Sequence, residues 1–354
     1  MDPKISVVVP VYKVEKFIAE CLESILSQDF DAFEVIAVDD GSPDASGTIC
    51  DDFARRDPRL TVIRKENGGV ATARKTGVER ARGEWVTLVD ADDILLPHAL
   101  STLYAATQQF PDADIVEGSA VHFSENTELK NPAALTVHGC ASGPNGSRVP
   151  LVLDGLGYAI SVAADDRFCQ MPWAKLIRRK ILCDTGAFDL PRELNSIGDD
   201  TFMDFCAATQ ARSVVRIFDL VYGYRCNPGG VFQGNKKTLS FDYWLSVCMH
   251  MRRVLDRRGD AWQIAWKAYI TNLLYQWFVR ATPGFSLRTP QVRALVAELA
   301  SVKNELPPAQ QTRVGIILVC TKFPFSVLPE AVYRALVCFP LTARGALRRA
   351  MKKH

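Results

Sequence analysis

The chain has 354 residues, of which 48% are hydrophobic and 23% charged, with 42 Lys+Arg against 40 Asp+Glu. This length and apolar content support a large α/β domain with an extension, and they exclude wholesale disorder. A net charge of +2 gives no global case for nucleic-acid binding, and ten scattered cysteines with no Cys-x-x-Cys pair indicate neither a zinc site nor a disulfide framework.

The first 120 residues alternate between two periodicities. The start, Met1-Asp2-Pro3-Lys4, runs directly into a continuous apolar segment at 5–11, which predicts a strand buried on both faces and no signal peptide. Phe17, Ile18, Cys21, Leu22, Ile25 and Leu26 then recur at helical spacing. A second strand over 33–38 ends in Asp39-Asp40-Gly41-Ser42, followed by a polar helix near 44–56 and a strand at 60–64. Asn67-Gly68-Gly69 opens a helix over 70–81, and a strand over 84–89 ends in Asp90-Ala91-Asp92-Asp93. Strands separated by helices of this length predict βαβ units and a parallel sheet, with ligands at the carboxyl rim of its strands.

Later segments are less regular. Residues 124–150 are rich in Asn, Pro, Gly and Ser and read as an excursion; order resumes near Pro172 and runs to Arg225. From about residue 240 the pattern is helical. From Arg313 to His354 there are eight Lys/Arg and one acid, Glu330, a local +7, so the preceding residues carry −5. Short apolar segments beside clustered cations suit an anionic membrane face, and equally a solvated end of a helical subdomain. No stretch is long and apolar enough for a membrane span, so a cytoplasmic protein, with the tail able to meet the inner face of the cell membrane, is expected.

Three polar motifs fall on the expected rim. Asp-x-Asp at a strand end suits a hard divalent ion bridging protein and a diphosphate, since Mg²⁺ takes one or two carboxylates plus substrate phosphates. Its bland alternative is a solvated turn with Asp93 capping the next helix. A carboxylate after the second strand can accept from a base N–H, or simply make a turn. Glycines at the start of the 70–81 helix free backbone N–H groups, and Arg74 one turn on can pair with Asp or phosphate. Neither a Walker loop nor a Gly-x-Gly-x-x-Gly motif follows the first strand, which argues against a dinucleotide dehydrogenase.

Together these residues resemble glycosyltransferase family 2, inverting sugar-nucleotide-dependent enzymes of the GT-A fold. The resemblance rests on Val8-Val9-Pro10-Val11-Tyr12, Val38-Asp39-Asp40-Gly41-Ser42, Asn67-Gly68-Gly69 with Ala73-Arg74 and Gly77, and Asp90-Ala91-Asp92-Asp93. It implies an α/β, Rossmann-like, mostly parallel sheet flanked by helices over 1–235, with a nucleotide-sugar-binding half (1–100) and an acceptor half (101–235). A helical C-terminal region over 236–354 would follow. It further implies that Pro10, Val11 and Tyr12 cradle the nucleoside, that Asp39 accepts from the base and favours UDP, and that Asn67, Gly69 and Arg74 hold the loop and diphosphate. Asp90 and Ala91 would face the ribose, and Asp92 would ligate Mg²⁺ or Mn²⁺, with Asp93 beside it.

The resemblance continues more loosely in Trp173-Ala174-Lys175-Leu176-Ile177-Arg178-Arg179 and Gly198-Asp199-Asp200-Thr201-Phe202. It implies that Asp200 is the catalytic base, next to Asp199 where the family has Glu. Inversion in one displacement needs such a carboxylate, although Asp199-Asp200 could also cap a helix over 201–208. Trp173, Lys175 and Arg225 are further candidates, Trp173 for an acceptor pocket and Arg225 for the diphosphate charge. The expected partners are a UDP-sugar and a glycan or lipid-linked oligosaccharide acceptor, in capsule or similar polysaccharide synthesis, with no nucleic acid. A sugar-phosphate nucleotidyltransferase and a non-catalytic nucleotide-binding protein of the same fold stay open as alternatives.

Overall fold

The computed structural model describes residues 2–124, 136–138, 148–164, 171–194, 199–226, 241–279 and 289–322. The chain forms two compact units, Met1–Trp266 and Lys267–His354. The Asn/Pro/Gly/Ser-rich stretch falls largely outside the described residues, as do Gly198 and the tail beyond residue 322.

The first unit opens with β1 (Ile5–Val11), α1 (Ile18–Leu26), β2 (Phe33–Asp39), α2 (Ser46–Arg56), β3 (Leu60–Arg64), α3 (Val70–Arg80) and β4 (Trp85–Leu88). Next come β5 (Ile94–Leu95), α4 (Ala99–Gln109), β6 (Ile115–Phe123), β7 (Thr136–His138), β8 (Leu151–Leu153), α5 (Gly155–Ala164) and β9 (Lys175–Arg178). Then follow α6 (Arg179–Asp184), α7 (Asp199–Ala208), β10 (Val214–Arg225) and α8 (Phe241–Leu255).

Among the described residues one ten-stranded sheet runs β3-β2-β1-β4-β9-β6-β10-β5, with β7 beside β6 and β8 beside β10. The four strands β3, β2, β1 and β4 are mutually parallel. β9 enters antiparallel between β4 and β6, after which β6 and β10 resume the first direction. Six strands therefore share one direction. The register pairs Val11 with Asp39 and Asp39 with Arg64, so the carboxyl ends of β1, β2 and β3 finish level on one rim.

Apolar patterning explains these layers. Every residue of β1 but Pro10 is buried, because helices cover both faces of the sheet. The spacing of Ile18, Cys21, Leu22 and Ile25 gives α1 one buried stripe. α3 lies close on β1 and β2 because Gly77 has no side chain: a Cβ there would sit 2.3 Å from Val8 Cγ1. Cys21, Cys50, Cys183, Cys206, Cys226 and Cys248 are free thiols.

The division between units falls at 266/267 rather than 235/236. α8 belongs with the first unit because it packs on α7, and its Tyr243 hydroxyl donates to the Leu194 carbonyl at 2.8 Å. α9 (Asp260–Val279) contains the boundary, and α10 (Pro290–Ser301) and α11 (Pro308–Lys322) belong to the second unit. Thr289 caps α10 by accepting from Val292 N, with Pro290 in the first turn. Among the described residues no helix is long and apolar enough to cross a membrane.

Candidate active site

Three groups of side chains meet at the level rim. After β1, Tyr12 stands exposed with the Lys13 ammonium 5.2 Å from its ring centroid. After β2, Asp39 accepts from Ser42 N at 2.9 Å and lies 3.6 Å from Arg64 Nε. Its neighbour Asp40 turns the other way. It accepts from Lys65 Nζ at 2.5 Å, from Gly68 N and from Gly69 N at 2.8 Å, while its carbonyl accepts from the Asn67 side chain. Asp40 thus pins the Asn67-Gly68-Gly69 loop by its backbone, and Gly69 enters α3 with φ of 91°, open to glycine. Sequence reasoning quoted Asp40 without giving it this part.

The turn after β4 holds three carboxylates with three different environments. Asp93 is buried, and both oxygens are engaged: the Tyr222 hydroxyl donates to Oδ2 at 2.8 Å and Arg225 N to Oδ1 at 2.7 Å. Burial, then Asp90 and Asp92, hold its carboxyl well above the ordinary value. Asp90 reaches the surface in part and accepts from Arg74. Asp92 is half-buried, and no side chain among the described residues bonds its carboxylate. Burial first, and the Asp90 charge second, push its carboxyl up to about 6.

Arg74 joins this turn to α7. Its guanidinium is buried, with Nη1 donating to Asp200 Oδ1 at 2.6 Å and Nη2 to Asp90 Oδ1 at 2.8 Å. The two carboxylates it links are each about a quarter exposed. The planar fork of arginine suits this double engagement. The sequence separation of Arg74 and Asp200 is 126 residues, so the pairing brings the predicted nucleotide half and the predicted base to one place.

Residues 6–159 match the profile of Glycosyl transferase family 2. This stretch is a family 2 glycosyltransferase domain. Glycosyltransferase GlyG of Streptococcus pneumoniae is 46% identical over 127 residues, covering 36% of this chain and 42% of GlyG. The uncharacterized glycosyltransferase EpsJ of Bacillus subtilis is 32% identical over 232 residues, 65% of this chain and 63% of EpsJ. The chain therefore spans less than two thirds of the length of these curated relatives. The fold is similar to that of Staphylococcus aureus TarS 1–349 in complex with UDP-GlcNAc, with a TM-score of 0.62, 22% identity, and 88% of this chain and 83% of that one covered. It is also similar to a Pyrobaculum calidifontis mannosyltransferase in complex with GDP-Man and Mn²⁺, with a TM-score of 0.53, 18% identity, and 96% and 85% covered.

Several predicted site residues sit beneath the rim rather than on it. Trp173 is buried and stacks on Tyr222, ring centroids 4.6 Å apart and planes within 4°. Stacking places it in the core, not in an acceptor pocket. Lys175 is buried too. Its ammonium donates to Asp204 Oδ2 at 2.5 Å and to the Met171 carbonyl at 2.6 Å. Arg225 points inward, donating to the Asp92 carbonyl at 2.7 Å and to Glu20 at 2.6 Å, with Phe123 under its guanidinium. It braces the carboxylate turn. Asp93, held by Tyr222 and Arg225, does the same from within and caps no helix. Asp199 begins α7. Tyr222 and Glu20 were missed, because only the fold reveals that they face the turn.

The chemistry of the turn fits a divalent cation. Asp92 is an oxygen donor whose charge burial disfavours, and among the described residues no cationic side chain bonds its carboxylate, so a metal there would supply counter-charge. No group of three or more His, Cys, Asp or Glu among the described residues could hold a metal by itself.

Proposed function

We propose that the protein is an inverting glycosyltransferase that moves a sugar from a UDP-sugar to a hydroxyl of a glycan or lipid-linked acceptor during surface-polysaccharide synthesis. The observation that carries this reading is the Arg74 bridge, which sets Asp200 beside Asp90 on the rim of a family 2 domain. Pro10, Val11 and exposed Tyr12 would receive the nucleoside, Asp39 the base N–H, Asp90 and Ala91 the ribose. Asn67 and Gly69, pinned by Asp40, would line the donor's diphosphate.

Asp92, together with the donor's phosphates, would hold Mg²⁺ or Mn²⁺. A bound ion supplies charge neutralisation on the departing diphosphate. Asp200 takes the proton of the acceptor hydroxyl while that oxygen bonds to the sugar's anomeric carbon. The bond from that carbon to the diphosphate oxygen breaks on the opposite face, and UDP leaves with the electron pair. Arg74 holds Asp200 for this step and remains ion-paired below it.

UDP release from a panel of nucleotide sugars, beginning with UDP-GlcNAc and run with and without Mg²⁺ or Mn²⁺, tests the reading. Wild-type protein is expected to release UDP in the presence of metal, with Asp92→Ala and Asp200→Asn reduced at least a hundredfold. Wild-type rates in both variants would overturn the mechanism. The net +7 of residues 313–354 supports docking on the inner, anionic face of the cell membrane. Chains ending at residue 312 are expected to lose binding to phosphatidylserine vesicles, and equal binding would refute the docking.

A further inference from the structure

Beneath the rim lies a set of charges that the transfer reaction does not use. Lys175 at the start of β9, Asp204 on α7, Glu117 on β6 and Arg216 on β10 are each no more than 2% exposed. Lys175 Nζ donates to Asp204 Oδ2 at 2.5 Å and lies 3.7 Å from Glu117 Oε2. Glu117 also accepts from Arg216 Nη1 and, at 2.7 Å, from the Tyr158 hydroxyl of α5. Two basic side chains therefore face two acidic ones.

Buried ion pairs seldom add net stability, because desolvation offsets their attraction, and apolar replacements of similar volume are often as stable. What such pairs can provide is register. Here the register concerns α7. Asp200 and Asp204 are four residues apart and therefore lie on one face of that helix, one turn apart. The upper acid meets Arg74 of α3, and the lower meets Lys175 of β9. Backbone geometry supports a purpose at this point: Ala174, immediately before Lys175, adopts φ of 60°. A left-handed conformation is disfavoured for a residue with a Cβ, and it persists only where its surroundings enforce it.

We propose that Lys175 and Asp204 are positioning residues, a buried ion pair that locks α7 in register on the sheet and so sets Asp200 against Arg74. This rests on the reading of Asp200 as the base. A slide of α7 by a fraction of a turn would move Asp200 off the acceptor hydroxyl while leaving Tyr12, Asp39 and the loop after β3 in place. The pair therefore governs the chemical step and leaves donor affinity alone.

The test is the double variant Lys175→Met/Asp204→Val, which removes both charges at once. Glu117 keeps Arg216 and Tyr158, so no orphan anion is left to unfold the protein. UDP release from UDP-GlcNAc is expected to lose at least tenfold in kcat with KM within twofold of wild type and an unchanged thermal midpoint. Asp204→Asn, which keeps an oxygen for Lys175, is expected to recover most of the rate. A crystal structure of the double variant gives an independent readout whatever donor the protein uses, with Asp200 expected to leave its 2.6 Å contact with Arg74. An unchanged contact, or a wild-type kcat in the double variant, overturns the proposal. A wild-type rate in Asp200→Asn instead overturns the base assignment, and the crystallographic result then decides the register claim alone.

Discussion

Arg74→Lys keeps one positive charge beneath the rim and removes the fork that carries it. In the native protein one guanidinium nitrogen reaches Asp200 at 2.6 Å and the other reaches Asp90 at 2.8 Å. A lysine ammonium is a point donor on a flexible stem and serves one of these carboxylates at a time. The change therefore removes one charge-assisted hydrogen bond, a loss of about 1.5–3 kcal/mol where both partners are buried. Arg74 is buried, but the carboxylates are about a quarter exposed, so solvent screening moves the expectation toward the lower end. At about 1.4 kcal/mol per factor of ten, kcat/KM should fall about tenfold and not beyond about a hundredfold. Initial rates of UDP release, set beside a urea melt of the same samples, separate the two roles the bridge could have. A lowered urea midpoint with native kcat/KM in the folded fraction would refute the view that the bridge places the base.

Tyr222→Phe keeps the stack on Trp173 but leaves Asp93 Oδ2 without its hydroxyl donor and Asp90 N–H without its acceptor, both inside the protein. Unfolding free energy from urea titration should drop by about 1–3 kcal/mol, and an unaltered midpoint contradicts the assignment of Asp93 to the frame of the turn. Glu34 supplies a pH dependence. Its burial pushes the carboxyl up, but the Arg82 backbone, Ser6 and Arg82 side-chain donors together outweigh that and leave it below its ordinary 4.5. A depressed carboxylate contributes stability that is present above 4.5 and is lost as pH falls through the folded value. Glu34→Gln should therefore be less stable than wild type at pH 7 and lose less on going below 4.5, with urea midpoints measured across that window. Parallel curves for the two proteins would count against it.

The parallel half of the fold is legible in the sequence because its signals are local. The run from Ile5 to Val11 is apolar at every position except Ser6 and Pro10, and the structure buries it within one strand. Asp90-Ala91-Asp92-Asp93 announces its position by following a strand, although nothing local separates Asp92, whose carboxylate no described side chain bonds, from Asp93, already satisfied. That difference is made by Tyr222 and Arg225, which only the sheet order brings alongside. The entry of β9 between β4 and β6 is equally non-local, since four residues, Lys175–Arg178, carry no pattern that predicts an antiparallel strand. Charge misleads in the same segment. Lysine and arginine read as surface residues by composition, yet Lys175 and Arg225 are buried because each meets an acid distant in the chain.

The contacts that frame the carboxylate turn also impose an order in time. Asp200 meets Arg74 across 126 residues, Tyr222 meets Asp93 across 129, and Arg225 meets Asp92 across 133. A ribosome adding roughly 5–20 residues per second needs roughly 5–27 s to deliver those partners after the turn itself has been made. During that interval the nascent chain carries three neighbouring acids without the hydroxyl and the Arg225 backbone N–H that hold one of them in place, and closing loops of this length opposes early assembly. The frame around the carboxylate turn is thus completed only when β10 pairs with β6, around acids made long before.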